Sequence, residues 1–128
     1  MSDTAQLKSR RLLVVEDDYL IAADLATSLE ALGIEVAGPA GSVAEALALL
    51  ETELDRLDGA VLDVNLGHER VYPVADVLMT RGIPFVFTTG YDAAAVPKSY
   101  SDIPRCEKPV DEQRLVRCLS DLRYQKHN

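Results

Sequence analysis

Positive charge is in short supply in this sequence: thirteen Lys and Arg stand against twenty-one Asp and Glu, a formal charge of −8. A surface of that sign repels phosphate backbones, which makes DNA or RNA a poor partner. Cysteine is scarcer still. Cys106 and Cys118 show no CxxC spacing and no histidine cluster, so neither a disulfide framework nor a zinc site underlies the fold, and both are expected as buried or half-buried thiols. His68 and His127 are isolated from other ligand types. No apolar run approaches the ~18 residues of a membrane span. The N-terminal MSDTAQLKSRR is polar and lacks the apolar core of a signal peptide, so the expectation is a cytoplasmic protein with no membrane insertion. Glycine-rich phosphate loops are missing too: GPAGS has no Lys-Ser/Thr after it and reads as a turn.

What is there fits one ordinary domain. The 128 residues, 48% hydrophobic and 27% charged, suffice for a core without staples, and the whole chain is expected as a single unit with an ordered core over about 10–124. The hydrophobic period switches between strand-like and helix-like along the chain. LLVVE, IEVAG, GAVLDV, IPFVFTT and IPRCEKP read as five strands. Ile21, Leu25, Leu29 and Leu32 mark a helix face, with Asp18 as its N-cap and Gly33 as its stop. Ser42 caps a second helix with Val43, Leu47, Leu50 and Leu54 inward; Pro73 suits the first turn of a third over Val74, Val77 and Leu78. Asp111 caps a last helix with Leu115, Cys118, Leu119 and Leu122 inward, while Pro97 leaves DAAAVPKSYSD short or irregular. Such alternation predicts an α/β fold, a doubly wound five-stranded parallel sheet.

The polar residues fall in a pattern. Functional groups of an open parallel sheet collect beyond the carboxyl ends of its strands. Here Glu16 and Asp17 end the first strand, Asp63 the third, Thr89 the fourth and Lys108 the fifth. A single carboxylate at a strand end is usually a turn or cap residue, but five polar residues in register form a site. Three converging carboxylates repel one another unless a cation binds, and oxygen-only ligation suits Mg²⁺. With Lys108 balancing charge and Thr89 and the Gly90 N–H donating hydrogen bonds, Asp63 is placed as a nucleophile toward phosphorus.

VVEDD, VLDVN, FTTG and EKP, in that order and spacing, resemble the receiver domains of bacterial two-component response regulators, across essentially the whole chain. The resemblance implies the flavodoxin-like (βα)5 fold with strand order 2-1-3-4-5, an order taken from the family and not from the spacing of the residues. It implies that Asp63 accepts a phosphoryl group from a sensor histidine kinase, and that Glu16, Asp17, Asp63 and the Asn65 backbone carbonyl hold Mg²⁺. Thr89 would be the switch hydroxyl and Lys108 its charge partner. No enzyme is implied beyond the domain's own phosphorylation and dephosphorylation. The protein would be a single-domain regulator with no attached output domain, altering a downstream protein or drawing phosphate from a shared kinase. The fourth helix, fifth strand and last helix would form its contact surface.

Arg105 stands where the family carries a switch aromatic, Gly90 where it carries Ala, and Gly67 where Pro is common. PFVFTTGYD resembles an alphaproteobacterial subgroup with a Phe-x-Thr-Gly-aromatic signature, in which the usual aromatic relay is replaced. Gly90 would then let the following loop change its backbone when Thr89 engages phosphate, ordering a weak fourth helix. Tyr91 either shields an acyl phosphate or caps the core edge. Three rival readings differ in class. A Mg²⁺-dependent phosphatase of the haloacid-dehalogenase type needs a second acid where Asn65 stands. A flavodoxin-like cofactor binder needs a phosphate loop where the acids stand. A phosphorylation-independent interaction module has no need of the intact site.

Overall fold

The computed structural model describes residues 6–90, 96–122 and 124. Five parallel strands form its centre: β1 (Arg11–Val15), β2 (Glu35–Ala40), β3 (Gly59–Asp63), β4 (Phe85–Thr89) and β5 (Arg105–Glu107), in the spatial order β2-β1-β3-β4-β5. This is the expected 2-1-3-4-5. The four α-helices among the described residues are α1 (Tyr19–Ala31), α2 (Val43–Glu53), α3 (Tyr72–Thr80) and α4 (Glu112–Ser120).

Strand alternation divides the apolar residues into two cores, one on each sheet face. Leu13, Val15, Ala60, Leu62, Phe85 and Phe87 pack with α2 and α3 residues such as Leu50, Val74 and Leu78. Leu12, Val14, Val61 and Val86 pack with Leu29 of α1 and Leu115 and Leu119 of α4. Burial on both faces explains why the central strands read as unbroken apolar runs. Three helices begin where the capping residues stand. The Asp18 side chain accepts from the Leu20 and Ile21 N–H groups, Ser42 from Glu45 N–H, and Asp111 from Arg114 N–H. Gly33 ends α1 with φ +84°, a conformation costly for other residues.

Four features depart from the sequence reading. Pro39 and Ala40 of the expected turn GPAGS belong to β2, which runs past the Gly38 end of the strand read as IEVAG, and the pairing with β1 shifts register between Leu13 and Val15. Gly38 has φ +93°, and a Cβ there would meet Ala40 N at 2.8 Å and Val14 O at 3.0 Å. Ile21, expected inward, is exposed, because the first turn of α1 overhangs the end of the sheet; Ala22 and Leu29 are its buried residues. A short antiparallel ribbon, Asn65–Leu66 with Glu69–Arg70, follows β3. Between β4 and β5 the described residues hold only a 3₁₀ turn, Lys98–Tyr100, while Tyr91 and the rest of 91–95 lie outside them. His127 also lies outside the described residues.

Candidate phosphoryl and cation site at the strand ends

Strand register brings the distant polar residues together. Leu62 lies beside Val15, so the residues just after them, Asp63 and Glu16, end neighbouring strands. Backbone bonds carry the ladder onward: Glu16 N–H donates to Ala40 O at 2.9 Å and Lys108 N–H to Thr89 O at 2.8 Å. Glu16 and Asp63 are therefore fixed at their backbones and nearly fully buried, while Asp17 is exposed.

Lys108 joins the two buried acids. Its Nζ donates to Glu16 Oε1 at 2.8 Å and to Asp63 Oδ2 at 2.9 Å. The second Glu16 oxygen accepts from Asp18 N–H at 3.0 Å, and Asp63 Oδ1 from Asn65 N–H at 3.3 Å. Carboxylate oxygens of Glu16, Asp17 and Asp63 all lie within 4.8 Å of one another. Three carboxylates thus share one ammonium, which leaves the cluster short of positive charge. Asp17 registers that shortage: burial and then the neighbouring Glu16 hold its carboxyl above the usual carboxylate range. Lys108 shows the converse. Burial opposes its charge, yet the hydrogen bonds to Glu16 and Asp63 outweigh this and raise its pKa. An all-oxygen set with unbalanced negative charge fits a hard divalent cation.

Thr89 contributes differently. Its hydroxyl is buried, and its oxygen has no hydrogen-bond partner. Leaving such a group unsatisfied costs about 1–3 kcal/mol, so the site stores an unused donor next to the acids' strands. A Cβ at exposed Gly90 would meet nothing within 4 Å among the described residues. Asn65 is placed at the start of the ribbon, its N–H already committed to Asp63. The sequence reading therefore named Glu16, Asp17, Asp63 and Lys108, and the fold brings these four into one cluster.

Two features went unread. A cavity of about 630 Å³ opens beside the cluster, between α1 and α4, lined by Glu16, Ile21, Leu25, Thr88, Lys108 and Leu115. Thr88 and Thr89 are adjacent in sequence, and the alternation of a strand sends them to opposite faces, so the tandem Thr was the available signal. On the other face Phe87 meets an aromatic pair: Tyr72 and Tyr100 stack at 4.7 Å, and Tyr100 Oη donates to Asp76 at 2.5 Å. That bond, with burial, pushes the Tyr100 phenol up to about 12.

No family model matches the chain. SdrG from Sphingomonas melonis Fr1, solved in solution, is 39% identical over 94% of this chain and 97% of its own, with a TM-score of 0.75. The response regulator PhyR from Brucella abortus is 26% identical, covering 92% of this chain and 49% of its own, with a TM-score of 0.76. The sensory transduction protein LytT of Bacillus cereus is 32% identical over 122 residues, 92% of this chain. The chain belongs to the response-regulator receiver domains. The receiver spans about half the length of LytT, 49%. The acid cluster lies beyond the carboxyl ends of β1 and β3. No helix among the described residues is long and apolar enough to cross a membrane.

Proposed function

We propose that this receiver takes a phosphoryl group onto Asp63 from a phosphohistidine of a sensor histidine kinase. The observation that carries the reading is the Asp63 carboxylate, buried and held by Lys108 within 4.8 Å of two further carboxylates. A carboxylate oxygen of Asp63 attacks phosphorus, the P–N bond to the donor imidazole breaks, and an acyl phosphate remains. Lys108, hydrogen-bonded to Asp63 before the transfer, then faces the phosphoryl oxygens. The unpartnered Thr89 hydroxyl donates to one of those oxygens, gaining the acceptor it lacks. Glu16, Asp17, Asp63 and the Asn65 carbonyl would hold Mg²⁺, which when bound supplies countercharge for the phosphoryl group.

SdrG also has a solved structure of its BeF3-activated conformation, attributed to Pseudomonas melonis Fr1 and 40% identical over 86% of this chain, with a TM-score of 0.71. BeF3 has the shape and charge of a phosphoryl group, which supports phosphoryl-driven activation here. The Phe-x-Thr-Gly-aromatic stretch supports the subgroup without the usual switch aromatic. Exposed Arg105 and open Gly90 agree with an output that runs through the backbone after β4. The domain signals in the cytoplasm through protein contacts, by altering a partner or draining phosphate from a shared kinase.

Intact mass after incubation with Mg²⁺ and acetyl phosphate tests this reading. The wild type gains one phosphoryl group and Asp63→Asn gains none. No gain by the wild type, with acetyl phosphate or with a panel of phosphorylated kinases, would leave a phosphorylation-independent interaction module.

A further inference from the structure

The phosphoryl site makes no use of the two cysteines. Cys106 is the central residue of β5 and is 2% exposed, while Cys118 on α4 is half-buried against the second core. Register shows which way Cys106 faces. It lies beside Thr88, and Thr88 lines the cavity under α4 together with Leu115. Residues side by side in a parallel pair point to one face, so the Cys106 thiol lies beneath α4. Its electrostatic neighbours agree: Asp111, Arg114 and Cys118 all act on it, and they follow one another at the three- and four-residue spacing of a single helix face. Cys118 packs against the core on that same face of the sheet. Both are free thiols.

We propose that Cys106 and Cys118 form an oxidisable dithiol, which a hydroperoxide converts to a disulfide joining β5 to α4. Cys118, the more accessible thiol, reacts first. Its sulfur attacks a peroxide oxygen, the O–O bond breaks, and a sulfenic acid and one water result. The Cys106 sulfur then attacks the sulfenic sulfur, loses its proton and expels a second water. In sum, two thiols and one hydrogen peroxide give one disulfide and two waters. Burial first, then the Cys118 contact, pushes the Cys106 thiol up to about 12, which assigns it the second step.

The bridge ties the last helix to the edge strand two residues before Lys108. β5 has only three residues and one neighbouring strand, so a covalent tie there restrains the part of the sheet with the fewest bonds. Formation of the bridge does not depend on Asp63; its consequence for signalling rests on the function proposed above.

The experiment treats the full chain with hydrogen peroxide and reads intact mass and tryptic peptides without reductant. The expected product is a monomer lighter by two hydrogens, with peptides 106–114 and 118–123 linked and released by dithiothreitol. Cys106→Ser and Cys118→Ala each abolish that product. The peptide map of the wild type decides the matter even if a variant folds poorly. Added oxygen on Cys118 with Cys106 still a free thiol would overturn the proposal, as would dimers linked through Cys118. An Asp63→Asn chain that still forms the bridge separates this result from any failure of the phosphoryl reading.

Discussion

The two ends of the sheet treat charge in opposite ways. At the amino end of the strands, Arg11 holds Glu53 with two bonds, 2.8 and 3.1 Å, and reaches Glu35 at 3.2 Å. Arg10 pairs with Asp58 at 3.5 Å and lies over the Tyr124 ring, its guanidinium carbon 4.6 Å from the centroid. There two arginines serve three acids, Glu35, Glu53 and Asp58, and the cluster closes the end of the fold. At the carboxyl end three acids share Lys108. At one end every acid of the cluster has an arginine contact, two cations for three acids, and the pairs support the structure. The other has one cation for three acids, the charge balance expected of a cation site rather than of a structural ion pair.

The contrast breaks most visibly at Lys108. Lys108→Ala leaves two buried carboxylates facing each other, so stability measured by urea unfolding in chelator should fall by about 3 kcal/mol. Mg²⁺ should return part of the loss. Arg11→Ala at the other end should cost about 2 kcal/mol through its charge-assisted bonds. Here Mg²⁺ should recover nothing beyond its effect on the wild type.

Acid sharpens the comparison, because the two ends respond with opposite sign. The Arg11 hydrogen bond holds the Glu53 carboxyl below its ordinary 4.5. Its contribution is therefore present above that value and lost as pH falls through the folded-state pKa. Asp17 is raised above its ordinary 3.8 by burial and by Glu16. Its favourable contribution is present below that value and lost as pH rises through the folded-state pKa. Unfolding measured across the acid range should show Glu53→Gln removing part of the acid-side loss. Asp17→Asn should instead stabilise the metal-free protein at neutral pH, by only about 0.5 kcal/mol because solvent screens an exposed carboxylate.

Much of this arrangement was legible in the sequence, for a physical reason. A strand buried on both faces is an unbroken apolar run, so its first polar residue marks where it leaves the core; that located Glu16 and Asp63, whereas Thr89 and Lys108 follow other polar residues, Thr88 and Glu107, and were placed by standing last in their strands. Helix starts were equally plain, since Asp18, Ser42 and Asp111 each precede an apolar stripe. Ile21 misled because periodicity assigns a helix face but not how far a helix overhangs its sheet. Pro39 misled because glycine and proline mark turns and bulges alike, and only pairing with β1 separates the two. The Tyr72–Tyr100 stack and the cavity under α4 join residues from separate elements, and no local pattern encodes such meetings. The paired thiols were unreadable for the same cause: twelve positions separate Cys106 from Cys118, and a strand and a helix must pack before they meet.

The central claim is that the carboxyl end of the sheet is built to be completed by a cation. Its most direct test is the thermal midpoint titrated with Mg²⁺ for wild type, Asp17→Asn and Glu53→Gln. A saturating rise is expected for the wild type and for Glu53→Gln, and none for Asp17→Asn. Equal rises in all three, or no rise in the wild type, would contradict the claim.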